Sequence, residues 1–174
     1  REAGLPDGVI QFLPGGAEVG MEMVKSRDMA GLHFTGSTHA FDTLWRTVGN
    51  RIQHYRNYPR IVGETGGKNF MFVHPSAGDL TESIINQIIR GAFEYNGQKC
   101  SATSRMYVPQ SIWEKIRDPL VERTKSLKMG QPQEMYTFVT AVINEASFDR
   151  VTQMFSRAAA SPDEFRILCG GKGV

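Results

Sequence analysis

Short apolar runs closed by glycine turns alternate with amphipathic helical stripes along this chain, and that alternation restricts the fold more than any single residue does. Gly8–Gly16, Gly31–Thr35, Arg60–Gly63, Asn69–Val73, Arg105–Val108 and Phe165–Leu168 read as strands. Between them, helices are expected over Ala17–Lys25 (Val19, Met23 and Val24 inward) and Thr38–Gly49 (Phe41, Leu44, Trp45 and Val48 as a core stripe). The clearest helix starts at Asp79, which with Glu82 forms a capping pattern. Ile84, Ile85, Ile88, Ile89 and Phe93 make its apolar face, and Asn96-Gly97 end it. A helix opened by Ser111 and Glu114 is expected to kink or divide at Pro119, residues 129–137 read as an irregular loop, and a last helix runs from Asn144 to Ala160. Asn69–Val73, almost wholly apolar, has the pattern of a strand covered on both faces. Strand–helix alternation of this kind predicts an α/β fold with a parallel or mixed sheet, broken into two units near Gly66-Gly67.

Composition narrows the function classes. The chain has 174 residues, 40 % hydrophobic and 22 % charged, which suits a folded domain rather than a disordered segment. A net charge of +2 provides no large field for nucleic acid or membrane binding and remains compatible with a small anionic ligand. No apolar run has a membrane-spanning length, so no membrane role is expected. Two cysteines, Cys100 and Cys169, make no disulfide framework. The start at Arg1, without Met, reads as the middle of a longer chain.

Cys100 is the best nucleophile candidate: it follows the polar corner Asn96-Gly97-Gln98-Lys99, where Lys99 would favour a thiolate. The residues alone leave two readings of it open, a reactive thiol or an inert core cysteine. Cys169, beside a short apolar strand, reads as core. Glu64 ends a strand, where sites gather, and is either a general base on water or a solvated turn residue. One strand–helix unit separates it from Cys100, a span that returns the chain to the same sheet edge, so the two are expected to share a cleft suited to acyl chemistry on sulfur. Phe34-Thr35-Gly36-Ser37 is a strand-to-helix turn where backbone N–H groups and the helix dipole favour phosphate. Gly66-Gly67-Lys68 lacks the other parts of a phosphate loop. His33, His39, His54 and His74 have no zinc-site spacing, so no metal is expected. Arg51, Arg56 and Arg60, interleaved with Tyr55 and Tyr58, fit a solvated or interface-facing helix end better than a nucleic-acid strip.

Four segments, in order, resemble the aldehyde dehydrogenase superfamily: Gly4–Ile10, Phe34-Thr35-Gly36-Ser37, Glu64-Thr65-Gly66-Gly67-Lys68-Asn69, and Phe93 to Ala102 around Cys100. Tyr55–Gly63 and Gly97–Ala102 resemble its pyrroline-5-carboxylate (glutamate-semialdehyde) branch. The resemblance implies residues 1–66 as the C-terminal part of a Rossmann-type NAD-binding domain, and 67–174 as the N-terminal part of an α/β catalytic domain. It implies Cys100 as nucleophile and Glu64 as general base. Gly36 and Ser37 would meet the NAD pyrophosphate, Thr65 and Gly66 would lie near the nicotinamide, and Ser101 would help hold the substrate carboxylate. The implied reaction is NAD-dependent oxidation of glutamate semialdehyde to glutamate through a cysteine thioester, in proline catabolism. The family's first cofactor strands, oxyanion asparagine and oligomerisation strands have no counterpart in these residues, so the isolated chain is expected to be inactive. The implied parent is a homo-oligomer with a small-molecule substrate and no nucleic-acid partner, mitochondrial in a eukaryote and otherwise cytoplasmic. Another semialdehyde dehydrogenase, or a non-catalytic fragment acting as a binding module, is the alternative.

Overall fold

A computed structural model describes residues 2–174. Its backbone contacts divide it after Gly66, into one unit that ends there and another spanning Gly67–Val174. The fold is mixed α/β, and each unit contains one parallel strand pair with helices packed on it.

In the first unit, α1 (Ala17–Lys25) precedes β1 (Gly31–Gly36), α2 (Thr38–Asn50) and β2 (Arg60–Thr65). β1 and β2 pair in parallel from Gly31↔Arg60 to Gly36↔Thr65, so their carboxyl ends meet. Val24, Val48 and Tyr55 form the buried core, with Met29, Leu32, Leu44 and Ile61 packed around them. The Tyr55 hydroxyl is satisfied there by donating to the Val24 carbonyl at 2.7 Å. The arginine–tyrosine segment therefore pins the unit internally. Arg56 pairs with Asp28 at 2.8 Å, and Arg51 donates to the Lys25 carbonyl at 3.2 Å.

In the second unit, β3 (Asn69–Phe72) and β4 (Thr103–Tyr107) pair in parallel, with an irregularity between Asn69 and Phe70. α3 (Thr81–Phe93) and α4 (Gln110–Lys125) enclose the larger core: Val73, Ile84, Ile85, Ile88, Ile89, Ile112 and Ile116. Each of these isoleucines removes enough apolar surface from water to contribute about 2 kcal/mol. α5 (Glu145–Ala159) is capped by Asn144, whose side chain accepts from the Ser147 N–H at 2.9 Å.

Several sequence expectations are corrected. Residues 8–16 and 165–168 form no strand, and Val9, Ile10, Phe12 and Leu13 are all exposed. An apolar run becomes a strand only when a neighbour takes its backbone groups, and no described residues pair with either segment. Asn69–Val73 is covered on one face only: Phe70 and Phe72 are exposed while Val73 is buried. Met23 and Trp45 lie outside the core and are exposed, although Val24 and Val48 on the same helices are buried. Asp79 does not cap α3. A 3-10 turn at Pro75–Ala77 leads into the helix through the Leu80 N–H to the Ala77 carbonyl, so Leu80 occupies the cap position. Pro119 does not divide α4, which runs unbroken through it. Its missing N–H would have met the Lys115 carbonyl; both residues are exposed, while Ile112 and Ile116 anchor the opposite face.

Candidate active site

In the first unit, register and a helix cap assemble the sequence-predicted residues. The parallel ladder sets Thr35 beside Glu64 and Gly36 beside Thr65 at the carboxyl ends of β1 and β2, where α/β sheets place their ligands. The chain leaves β1 at Gly36. Ser37 is extended (φ −74°, ψ 147°), and its Oγ accepts from the Ala40 N–H at 3.2 Å, which makes it the N-cap of α2. Helix and sheet approach closely: a Cβ on Gly63 would overlap the Phe41 ring, which itself stacks on Phe34 at 5.9 Å. Gly66 turns the chain at φ +78°, with Thr38 Oγ1 3.6 Å from where a Cβ would stand. Backbone conformation, rather than space, favours glycine there. Gly36, Ser37, Glu64, Thr65 and Gly66 all lie exposed around this strand-end corner.

The second unit builds its corner differently. α3 ends at Phe93, and three successive residues then take left-handed backbone: Tyr95 (φ 53°), Asn96 (φ 59°) and Gly97 (φ 69°). Two of them are not glycine, a conformation that persists only where the surroundings impose it. Those surroundings are side-chain bonds. Asn96 Nδ2 donates to the Thr140 and Ala141 carbonyls at 2.9 Å each, and Asn96 Oδ1 accepts from the Thr140 N–H at 3.0 Å. Gln98 Oε1 accepts from the Ile143 N–H at 3.0 Å, and its Nε2 donates to the Tyr95 carbonyl at 3.2 Å. Cys100, exposed, and Ser101 follow in a turn immediately before β4. Gly67 lies against this turn: at φ +126°, a Cβ on it would overlap the Cys100 carbonyl oxygen and stand 2.8 Å from the Cys100 Cα.

Charge around the corner is distributed otherwise than the sequence suggests. Lys99 does not reserve its charge for Cys100. Its ammonium pairs with Glu94 at 2.5 Å and lies 5.2 Å from the centre of the Tyr95 ring. Arg90 binds the same carboxylate at 2.9 Å. The hydrogen bond from Lys99, and then that from Arg90, hold the Glu94 carboxyl below its ordinary value of 4.5. Arg90, Glu94, Lys99 and Ser101 line one recess of about 390 Å³. Cys169 is half-buried in a bend rather than in a core strand.

Sequence reasoning passed over Asn96, Gln98 and Gly67 as supports of the Cys100 turn. Asn96-Gly97 signalled a helix end, but its tie to residues 140–143 spans more than 40 positions and leaves no local pattern.

The whole chain has known relatives. It is 52 % identical to the mitochondrial delta-1-pyrroline-5-carboxylate dehydrogenase of Dictyostelium discoideum, over 98 % of this chain and 31 % of that protein. It is 45 % identical to the human mitochondrial protein of the same name, over 99 % of this chain and 30 % of that one. Among solved structures, the delta-pyrroline-5-carboxylate dehydrogenase from Mycobacterium tuberculosis bound with NAD and cobalamin matches with a TM-score of 0.90 and 36 % identity, over 99 % of this chain and 32 % of that one. The chain thus spans less than a third of the length of the relatives it matches. The aldehyde dehydrogenase family model matches residues 1–174, and the chain belongs to the aldehyde dehydrogenase family.

Proposed function

We propose that this chain is a segment of an NAD-dependent delta-1-pyrroline-5-carboxylate dehydrogenase, which oxidises L-glutamate 5-semialdehyde to glutamate. Residues 1–66 would be the end of its Rossmann-type cofactor domain and 67–174 the beginning of its catalytic domain. The observation that carries the chemistry is the seating of Gly67 against the Cys100 backbone. Only three peptide steps join Glu64 to Gly67, so the two Cα atoms are within about 11 Å whatever the disposition of the units. The names of the relatives supply the substrate class.

The first unit's corner fits a dinucleotide. Gly36 and Gly66 present no Cβ, Ser37 opens α2, and no acidic residue occupies the first turn of that helix, which favours a pyrophosphate at its positive end. Thr65 and Gly66 are assigned beside the nicotinamide. When bound, NAD+ supplies the hydride acceptor.

Cys100 would attack as the thiolate. Its sulfur would bond to the aldehyde carbon as the carbonyl electron pair moves to oxygen, and the Cys100 N–H would stabilise the negative charge there. Loss of hydride from that carbon leaves a thioester on Cys100. Glu64 takes a proton from water, the hydroxide adds to the thioester carbon, and the C–S bond breaks to restore the thiolate and release glutamate. Ser101 is assigned to the substrate carboxylate, beside Arg90 and Lys99, whose shared partner Glu94 balances only one of their two positive charges. A eukaryotic parent would work in the mitochondrial matrix, as a homo-oligomer.

The test uses the full-length protein carrying this segment, assayed by absorbance of reduced cofactor. Cys100→Ala is expected to abolish turnover. Glu64→Gln should keep a burst of about one equivalent per site while steady-state turnover falls by roughly 10²-fold or more. Turnover by Cys100→Ala within tenfold of the parent would overturn the assignment.

A further inference from the structure

We infer that Asn96 and Gln98 are positioning residues, which act through residues 140–143 to hold the Cys100 turn in its reactive geometry. The inference rests on the reading of Cys100 as the nucleophile.

Three observations converge on it. Tyr95, Asn96 and Gly97 are consecutive left-handed residues just upstream of Cys100, a path the chain would leave if nothing held it. The Asn96 amide uses both of its polar atoms on one target: two donations to the Thr140 and Ala141 carbonyls and one acceptance from the Thr140 N–H, all within 2.9–3.0 Å. Gln98 adds the Ile143 N–H from the other side of the turn. The target is itself anchored. Val139 is bonded to Lys128 and Gly130 through backbone groups, and Asn144 caps α5. The latch therefore ties the Cys100 turn to a fixed segment, and it does so through side chains, since no backbone ladder joins the two stretches among the described residues. A nucleophile displaced by about 1 Å loses on the order of 10²-fold in rate, so a latch four and two residues before Cys100 bears directly on turnover.

Two substitutions separate this role from a simple preference for left-handed backbone. Asn96→Gly relieves the backbone and deletes the latch. Asn96→Asp keeps the shape and the acceptor, but replaces two donations by an oxygen facing two carbonyl oxygens. If the backbone angle alone matters, glycine equals or exceeds asparagine and aspartate comes close. If the latch matters, the order is Asn, then Gly, then Asp. In the full-length protein, with semialdehyde and NAD+ as substrates, kcat is expected to fall at least tenfold for Asn96→Gly and further for Asn96→Asp. The KM for NAD+ should stay within twofold, because the assigned cofactor residues lie in the first unit. Should Asn96→Asp fail to fold, Gln98→Ala, which removes the bond to Ile143, is expected to lower kcat at least threefold with the same unchanged KM. A kcat for Asn96→Gly within twofold of the parent overturns the inference. Cys100→Ala, assayed alongside, separates the two possible failures. If it turns over, both the nucleophile reading and this role fall. If it is dead while Asn96→Gly remains fully active, only the latch falls.

Discussion

The strand-end corner of the first unit and the cysteine corner of the second are held by different kinds of force. Around Glu64 the supports are regular: a parallel ladder, a helix cap and one glycine turn. Around Cys100 they are irregular: three left-handed residues, a side-chain latch to residues 140–143, and the close approach of Gly67. Regular supports are shared among many backbone hydrogen bonds, so one substitution weakens them modestly. Irregular supports concentrate the constraint in a few atoms, where one substitution can remove it.

Adjacent glycines test that contrast most sharply. Gly67→Ala must drive a Cβ into the Cys100 backbone while occupying φ +126°, and it is expected to destabilise the full-length protein by about 3 kcal/mol and to abolish turnover. Gly66→Ala meets no atom within 3.5 Å and faces only a left-handed φ, at about 1 kcal/mol. Denaturant midpoints of the two variants measure the difference, and equal losses would dissolve it. Next in size, Ser37→Ala deletes the α2 cap at about 1 kcal/mol and should raise the KM for NAD+ while leaving acylation of Cys100 unchanged. A fall in kcat without a change in KM would place Ser37 outside the cofactor corner.

The smallest expected effect is electrostatic. Glu94 is held below its ordinary pKa of 4.5, chiefly by Lys99 and then by Arg90. A carboxyl whose folded pKa is depressed contributes stability at pH values above its unfolded pKa, and that contribution is lost as pH falls through the folded value. Thermal unfolding should therefore show a slightly steeper decline below about pH 4.5 in the parent than in Glu94→Gln. Identical slopes would mean that solvent already screens this pair.

The legibility of the two corners differs for the same reason. Gly36-Ser37 and Glu64-Thr65-Gly66 stand in local patterns, a strand closed by a turn and a helix opened by a serine, and only the parallel register of β1 and β2 sets them side by side. Cys100 was conspicuous by residue type and by its glycine-containing corner. Its environment was not: Lys99 looked like a partner for the thiol and instead pairs with Glu94, five positions back. The segments that failed as strands, 8–16 and 165–168, have the right composition but no neighbour among the described residues.

The order of strands and helices between Ala17 and Ala159, the apolar face of α3 and the residue types capable of acyl chemistry follow from the sequence alone. These depend on period, turn residues and functional groups, all of which are local. Tertiary structure decided which apolar runs found a pairing partner, that Pro119 sits harmlessly on the exposed side of α4, and that Asn96, Gln98 and Gly67 brace the Cys100 turn. Each of those outcomes rests on a contact between residues far apart in sequence or on which side of an element faces water, and neither quantity is written in the spacing of neighbouring residues.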